Sequence, residues 1–376
     1  MPALAGAGGF ALAALAVVLA TWNRTVGISN DGIQYVEGAR QLLAGHGYST
    51  GILYFDEQYQ AGRLPAPQTV WPPGTSIAIA AAAGFGMDPE AAGRLVARVA
   101  FLFAPPLVFL IAFRLTGQHL PAALCAVWQL GMTEFWMYLA SPNSDLPFLA
   151  ASLGALALLP DGEVDEWRWL PAFLLAGLAT AFRYVGLFLI GAMGLLLLWD
   201  AFRRWRRTSD FRARPFLLAV PGVLIAAALL VRNSLLAGDI RGGNTHPIAQ
   251  SLVGLLTETV RSLLELIGGV SRSDLTNGGP RRAAAIAGLI GLGGLALLAV
   301  PGWWQSLRTQ RPGDAPRRYG LGIALYAVFY LVAVIWTSSR TNLTYGTRYM
   351  LPVAPLLVCL VVFGATVRNP RTAAAT

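Results

Sequence analysis

One acidic residue stands where it could act as a general base. Asp31 follows the first long apolar run of the chain and opens the segment Asp31–Tyr48. Ser29 and Asn30 are good helix N-cap residues, so Asp31 falls in the first turn of a predicted helix, where the helix dipole favours its charged form. A carboxylate held there is a candidate general base. The same spacing also fits a simple capping acid, and the two interpretations are compatible.

Further ionisable and polar residues stand at the ends of later apolar runs. They are Asn143, Asp145, Arg183, Tyr184, Arg232, Arg340, Arg348 and Tyr349. A single arginine at such a place could merely anchor a helix end. Ionisable groups at membrane depth are nevertheless costly and indicate function. Several guanidinium groups on one side predict an anion site, because a guanidinium binds phosphate through two hydrogen bonds.

The elements that must position these residues are membrane helices. Of the 376 residues, 55% are hydrophobic and only 12% are charged, and the mean hydropathy is +0.56. A soluble domain carries roughly 25% charged residues, so a soluble enzyme, a disordered chain and a secreted disulfide scaffold are excluded. The apolar runs are about as long as a bilayer core requires. The sequence predicts an all-α polytopic membrane protein with about ten transmembrane helices, within a range of nine to twelve.

The apolar runs give ten predicted spans. They are Ala3–Trp22, Gly93–Leu115, Pro121–Leu139, Pro142–Pro160, Trp169–Ala181, Gly186–Trp199, Pro215–Leu236, Ala283–Trp303, Tyr319–Trp336 and Tyr349–Val367. Tryptophan and tyrosine lie at many of their ends, as expected at membrane interfaces. Residues 169–199 could form one long tilted helix, but that would move a flanking loop to the wrong side. We therefore predict a hairpin that turns near Arg183.

Charge predicts the orientation of the spans. The net charge is +9 and every basic residue apart from the histidines is an arginine. The densest cluster, Arg203–Arg214, lies between two spans and is expected to be cytoplasmic. Both termini are then cytoplasmic, and loops 23–92 and 237–282 are exterior parts of a single membrane domain, 1–376. The first span has no preceding basic residues, so we interpret it as a retained span rather than a signal peptide.

The first exterior loop has its own predicted elements. Residues 30–43 show apolar side chains at helical spacing, and Gly45 and Gly47 are expected to end the helix. Such an amphipathic helix should lie along the membrane surface. The apolar stretch Ser76–Phe85 is too short to span and is predicted to be interfacial or re-entrant. Asp56 and Glu57 are either solvated or substrate contacts.

Metal and disulfide chemistry are not indicated. His46, His119 and His246 share no ligand spacing. Cys125 and Cys359 lie inside apolar runs and are interpreted as small hydrophobic residues. We therefore expect no cofactor. A divalent cation is possible, but no motif supports one.

The order of the polar motifs resembles the GT-C membrane glycosyltransferases. It is most similar to the branch of the protein O-mannosyltransferases and the lipid A aminoarabinose transferases. The matching pieces are Asp31-Gly-Ile-Gln-Tyr-Val-Glu-Gly-Ala-Arg40, Gly45-His-Gly-Tyr48, Pro72-Pro-Gly74, Ala91-Ala-Gly-Arg-Leu95, Ser141-Pro-Asn-Ser-Asp145, Arg183-Tyr-Val-Gly186 and Arg348-Tyr-Met-Leu-Pro352. The resemblance implies inverting transfer of a hexosyl or pentosyl group from a polyprenyl-phosphate-sugar donor at the non-cytoplasmic face, in a bacterial inner membrane.

The resemblance also implies roles for individual residues. Asp31 matches the expected catalytic base, and Arg183 and Arg348 match basic positions near the donor phosphate, with Arg340 as a further candidate. A polyprenyl phosphate is a good leaving group once arginines neutralise it. Candidates for the sugar or acceptor pocket are Tyr35, Glu37, Arg40, His46, Tyr48, Asn143, Asp145 and Tyr184. The acceptor could be a protein, a lipid or a polysaccharide, and no nucleic acid partner is expected.

Two other functions compete with this prediction. A secondary transporter would usually show repeated halves and polar residues near the bilayer midplane, whereas this chain shows no internal repeat and groups its polar residues at one face. A membrane scaffold without catalytic activity is the other alternative.

Overall fold

The computed structural model of the chain consists almost entirely of helices. The structure describes residues 2–24, 26–53, 58, 61–160, 165–240, 242, 251–268, 315–338 and 347–367. The helices are α1 Pro2–Ala20, α2 Asn30–Leu43, α3 Gly74–Ala83, α4 Pro89–Thr116, α5 His119–Gly131, α6 Thr133–Leu139, α7 Asp145–Ala157, α8 Trp169–Phe182, α9 Gly186–Thr208, α10 Arg214–Ala237, α11 Leu252–Gly268, α12 Ala315–Ser338 and α13 Ala354–Val367. Two short 3₁₀ helices, Glu166–Arg168 and Thr347–Met350, precede α8 and α13.

The all-α membrane architecture predicted from composition is confirmed. Within the described ranges, five helices are long and apolar enough to cross a membrane, namely α1, α4, α9, α10 and the Arg318–Thr337 part of α12. Helices α5 to α8 and α13 are shorter. The predicted span Ala283–Trp303 lies outside the described residues, so the total of ten spans stays a prediction.

The hairpin prediction for residues 169–199 is confirmed. Helix α8 ends at Phe182, Arg183 adopts an extended backbone, and α9 begins at Gly186. The predicted span 121–139, in contrast, is not one helix. It is interrupted at Met132, whose backbone is extended and which follows the weak helix former Gly131.

The membrane bundle packs closely where small residues meet. Helices α8 and α10 approach each other through Gly177 and Gly222, and a Cβ atom on Gly177 would lie 2.7 Å from the carbonyl oxygen of Gly222. Small residues at helix crossings let the backbones approach in membranes, where packing replaces the hydrophobic driving force. The bundle core buries aromatic side chains from several helices, including Phe101, Phe148 and Tyr326.

One end of the bundle holds the residues that were predicted to face the cytoplasm. The Nε of Arg318 donates to Asp200 Oδ1 at 2.8 Å, joining α12 to α9. Arg212 donates to Glu166 Oε1 at 2.8 Å across the same end. We call this the Arg318 end, and the opposite end, where α2 lies, the Asp31 end.

Local signals in the first loop form the predicted helix α2. The Ser29 side chain caps it by accepting a hydrogen bond of 3.1 Å from the Gly32 N–H. Gly45 and Gly47 follow its end with positive φ angles of 78° and 70°, which glycine adopts without strain. The apolar stretch after Pro72-Pro73 forms α3, the short helix predicted there.

A two-residue antiparallel ladder closes the rest of the first loop, with Ser49 opposite Pro67 and Thr50 opposite Ala66. The second predicted loop, 237–282, contains helix α11, which the sequence analysis did not predict. Asp56 and Glu57 lie outside the described residues.

Candidate active site at the Asp31 end

Two carboxylates and two guanidinium groups meet at the Asp31 end. Arg348 donates from Nε and from one terminal nitrogen to Asp145 Oδ2, both at 2.8 Å. Its other terminal nitrogen lies 2.6 Å from Asp31 Oδ2. Arg183 binds the second oxygen of Asp145, Oδ1. These four residues, which we call the ion-pair cluster, come from four separate parts of the chain.

Helix termini present each member of the cluster. Asp31 lies in the first turn of α2 and Asp145 is the first residue of α7. Arg183 stands in the turn between α8 and α9, and Arg348 lies in the 3₁₀ helix before α13. The backbone is not regularly helical at the ends of helices. Side chains there can therefore point into the junction between neighbouring helices.

Two contacts tie α2 to the segment before α7. The Tyr35 hydroxyl donates to Ser144 Oγ at 2.9 Å. On the same helix, Gly32 lies so close to the preceding loop that a Cβ atom there would be 2.8 Å from the Pro142 carbonyl oxygen. This close approach brings the Asp31 carboxylate to the arginine that Asp145 holds.

Asn143 contributes to the geometry of α7. Its side-chain oxygen accepts from the Leu146 N–H at 3.1 Å, and its amide nitrogen donates to the carbonyls of Tyr138 at 2.6 Å and Ser141 at 2.8 Å. These hydrogen bonds fix the first turn of α7, and so they fix the carboxylate of Asp145.

Burial differs strongly within the cluster. The Asp145 side chain is 2% exposed, whereas that of Asp31 is 29% exposed. A buried charge is tolerated only when it is paired and hydrogen-bonded, and Asp145 meets this condition through its two arginines. Asp31 is the carboxylate that a solvent-side molecule can approach.

The cluster also sets the protonation of its neighbours. Burial alone would lower the pKa of Arg348, but the charges of Asp145 and Asp31 raise it above its usual value. Burial raises the pKa of the Tyr35 phenol, and the Asp31 charge adds to this rise. Tyr35 therefore stays neutral and acts as a hydrogen-bond donor. The four charges of the cluster sum to zero.

Several predicted pocket residues lie away from the cluster. Glu37 accepts from Gln41 Nε2 at 2.7 Å and from the Gly51 N–H at 3.1 Å. The His46 ring contacts Gln41 Oε1 at 2.7 Å and is exposed, as is Arg40. These side chains lie at the far end of α2 or on its outer face, and the structure does not bring them to Asp31.

Two predicted tyrosines bind neighbouring backbone instead. The Tyr48 hydroxyl donates to the carbonyls of Trp71 and Pro72, at 3.0 and 3.1 Å. The Tyr184 hydroxyl donates to the Thr69 carbonyl at 2.9 Å and pairs with Asn233. These tyrosines hold the first loop against the bundle. Arg340 lies outside the described residues.

Two contacts around the cluster were not predicted. The centre of the Tyr349 ring lies 5.6 Å from the guanidinium carbon of Arg183, which is a cation–π contact. The sequence shows only that Tyr349 stands at a span end beside Arg348. A buried amide network also joins α2 to the loop, since Gln34 Oε1 accepts from Gln68 Nε2 at 2.8 Å and from Thr50 Oγ1 at 3.1 Å. Nothing in the local spacing signals this network.

The described part of the chain contains no cluster of side chains that could hold a metal ion. No cluster of three or more histidine, cysteine or acidic side chains with metal-binding geometry occurs in those ranges. Cys125 and Cys359 are both buried free thiols, in agreement with their interpretation as small hydrophobic residues.

Comparison with known proteins gives a match in structure only. No family model matches the chain, and no curated protein matches its sequence. ArnT from Cupriavidus metallidurans bound to undecaprenyl phosphate superposes with a TM-score of 0.59 at 17% identity, over 97% of this chain and 61% of ArnT. Its apo state gives 0.57 at 19% identity, over 98% and 62%.

A third solved structure is also similar. The archaeal oligosaccharyltransferase AglB from Archaeoglobus fulgidus, in complex with an inhibitory peptide and a dolichol-phosphate, gives 0.55 at 11% identity, over 96% of this chain and 50% of AglB. The chain has the GT-C fold. It spans between half and about three fifths of the length of these proteins, and the fold-level part of the predicted resemblance is confirmed.

Proposed function

We propose that the protein is a membrane glycosyltransferase that moves a sugar from a polyprenyl-phosphate donor to an acceptor hydroxyl. The observation that carries the proposal is the ion-pair cluster, in which Asp31 and Asp145 meet Arg183 and Arg348 at one end of a membrane bundle. The GT-C fold supports it, since the similar structures were solved with undecaprenyl phosphate and dolichol-phosphate.

The donor phosphate would bind to the two guanidinium groups. Arg348, which also contacts Asp31, is the more exposed of the two arginines. Arg183 is less exposed and binds the other oxygen of Asp145. Positive charge there stabilises the phosphate as it leaves the sugar, because the negative charge grows on its bridging oxygen in the transition state. In this proposal the arginines supply the positive charge.

Asp31 would act as the general base. As the acceptor oxygen attacks the anomeric carbon, its proton passes to the Asp31 carboxylate, the new carbon–oxygen bond forms and the bond to the phosphate oxygen breaks. The electron pair of the broken bond leaves with the polyprenyl phosphate. Attack opposite the leaving group inverts the anomeric carbon. We propose that Tyr35, a buried donor next to Ser144, keeps α2 in register for this transfer.

The position of the cluster suits a donor of this kind. A polyprenyl tail stays in the hydrocarbon, while its phosphate and sugar lie at the membrane surface. Asp31 stands directly after α1 and at the start of an amphipathic helix, where a membrane–water boundary is expected. We propose that this boundary is the non-cytoplasmic face of a bacterial inner membrane. The acceptor, whether protein, lipid or polysaccharide, approaches from the aqueous side.

The test is sugar transfer by the full chain in lipid nanodiscs. Membrane extracts supply the acceptor and a radiolabelled polyprenyl-phosphate sugar serves as donor. Asp31→Asn removes the base but keeps the shape of the side chain, and we expect it to lower the transfer rate by about 10²- to 10⁴-fold. Glu90→Gln is the matched control, because Glu90 pairs only with Arg94 of its own helix turn among the contacts described.

Specific outcomes separate the candidate functions. Unchanged transfer by Asp31→Asn at normal expression removes Asp31 from its proposed role. Absence of transfer by the wild-type chain, together with uptake of a solute into proteoliposomes, would favour the transporter. Loss of transfer in Asp31→Asn and retention in Glu90→Gln support the enzyme.

A further inference from the structure

Arg348 is shared unequally between two carboxylates. Its Nε and one terminal nitrogen both bind Oδ2 of Asp145, whose side chain is 2% exposed. Its remaining terminal nitrogen binds Asp31, which is 29% exposed. Exposed ion pairs contribute little to stability, whereas a buried charge that loses its partner costs several kcal/mol. The contact with Asp31 is therefore the one that another anion can replace.

The charges of the cluster also indicate that the contact between Arg348 and Asp31 is the replaceable one. Arg183, Arg348 and Asp145 together carry one positive charge, and Asp31 neutralises it. The phosphate of a polyprenyl-phosphate sugar is a diester and carries one negative charge. The charge of the phosphate would balance the net positive charge of Arg183, Arg348 and Asp145. If Asp31 kept its contact, these groups would already be neutralised. Asp31 and the donor phosphate thus have the same partner.

One oxygen of Asp31 is already occupied in the structure. Its Oδ2 lies 2.6 Å from a terminal nitrogen of Arg348. A guanidinium N–H therefore stands where an acceptor hydroxyl would have to donate to this oxygen.

We infer that the donor phosphate displaces Asp31 from Arg348 and thereby frees the carboxylate to act as the base. The inference rests on the proposed function and deepens it, because it makes donor binding the step that activates Asp31. Asp145 keeps its contacts with Arg183 and Arg348 throughout. The exchange is an ion-pair replacement at one terminal nitrogen of Arg348, and no covalent bond changes in it.

The exchange has a consequence for the order of events. Before the donor binds, Arg348 occupies Oδ2 of Asp31. After the donor binds, the freed carboxylate and the sugar stand at the same place. The acceptor is deprotonated only when there is an anomeric carbon for it to attack.

The test measures affinity for a lipid phosphate rather than transfer. The full chain, in phosphatidylcholine nanodiscs, is titrated with undecaprenyl phosphate, and with undecaprenol as the neutral probe. Because Asp31→Asn removes the competing charge, we expect its Kd for undecaprenyl phosphate to be about three- to ten-fold lower than that of the wild type. Affinity for undecaprenol should not change.

Glu90→Gln is again the matched control. It also releases an arginine from a carboxylate in the same part of the chain, since Arg94 binds Glu90. A Kd within about two-fold of the wild type is expected for it, because this pair lies outside the ion-pair cluster. An equal tightening in Glu90→Gln would mean that any released arginine attracts the lipid, and would overturn the exchange.

The outcomes for the exchange and for the proposed function are distinct. Loss of transfer in Asp31→Asn without a tighter Kd leaves the enzyme in place and overturns the exchange. If the wild type binds undecaprenyl phosphate no more tightly than undecaprenol, both the exchange and the proposed function are overturned. Tighter binding combined with lost transfer supports both.

A second measurement uses the unmutated chain, so it does not depend on the folding of a variant. A water-soluble carbodiimide couples carboxylates to an added amine, and mass spectrometry follows the peptide that contains Asp31. Undecaprenyl phosphate should increase labelling of Asp31 at least two- to three-fold, about as much as loss of a single exposed ion pair permits. Unchanged or reduced labelling would contradict the release of Asp31.

Discussion

Asp145 is the residue on which the arrangement of the cluster depends. Each of its carboxylate oxygens binds a different arginine, one from the α8–α9 turn and one from the 3₁₀ helix before α13. Two arginines this close repel each other unless an anion lies between them. Asp145 is therefore the shared counter-ion of the two arginines, and its predicted place in the substrate pocket stays a prediction.

Replacement of Asp145 should destabilise the whole chain. Asp145→Asn leaves two partly buried guanidinium groups without their shared counter-ion, and breaking a buried pair in this way costs about 3–5 kcal/mol. Thermal unfolding in detergent, followed by the loss of soluble monomer, measures the effect.

Glu90→Gln provides the comparison at the residue scale. It breaks a partly exposed i,i+4 pair with Arg94, and pairs at the surface are worth about 0–1 kcal/mol. Equal shifts in the unfolding temperature for the two variants would show that Asp145 does not carry the buried charge of the site.

At the scale of elements, the packing of α2 onto the segment before α7 decides whether the base reaches the arginines. Helix α2 amounts to about four turns and carries Asp31 at its first turn, so any displacement of its N-terminus moves the carboxylate directly. The Gly32–Pro142 contact and the Tyr35–Ser144 hydrogen bond set this packing.

Gly32→Ala should separate the base from the rest of the cluster. The added methyl group would meet the Pro142 carbonyl oxygen at 2.8 Å, so the start of α2 must shift. A displacement of about 1 Å near reacting groups can cost about 10²-fold in rate. We expect the transfer rate to fall by about ten- to a hundred-fold. The unfolding temperature should change much less than in Asp145→Asn.

Gly27→Ala is the control for this element, because a Cβ atom on Gly27 would meet no atom within 4 Å. Its transfer rate should equal that of the wild type. If Gly32→Ala were equally active, the close approach of α2 to Pro142 would have no part in placing Asp31.

At the scale of the whole molecule, the charged groups divide between the two ends of the bundle. The Arg318 end joins α9, α12 and the segment before α8 through Arg318–Asp200 and Arg212–Glu166. The ion-pair cluster lies at the other end. The division agrees with the order of spans predicted from the positions of the arginines, since long helices such as α9 and α12 lead from one set to the other.

Cysteine labelling in intact bacterial cells tests which end faces outwards. His46 and Thr208 are exposed residues of the Asp31 end and the Arg318 end, and the native Cys125 and Cys359 are buried. A membrane-impermeant maleimide should label His46→Cys in intact cells, and Thr208→Cys only after lysis. The reverse pattern would invert the proposed orientation and put the site in the cytoplasm.

The elements near the site were predictable because their signals are local. Ser29, the apolar spacing of residues 30–43 and Gly45 predicted α2 within its observed bounds. The turn near Arg183 was predicted from loop charge, because one long helix over residues 169–199 would have moved a flanking loop to the wrong side. The break at Met132 was not predicted, because the apolar run 121–139 was interpreted as one span in spite of Thr133 and Glu134.

The amino-acid sequence by itself determined that the chain is a polytopic helical membrane protein with its polar residues grouped at span ends. Run length, charge distribution and capping residues act within a few turns of one helix, so they can be recognised in order along the chain. Only the tertiary structure decided which charges pair. Arg348 binds Asp145 from 203 residues away. Glu37 and Arg40 point away from the cluster although they share α2 with Asp31, because the packing of helix ends determines which side chains meet.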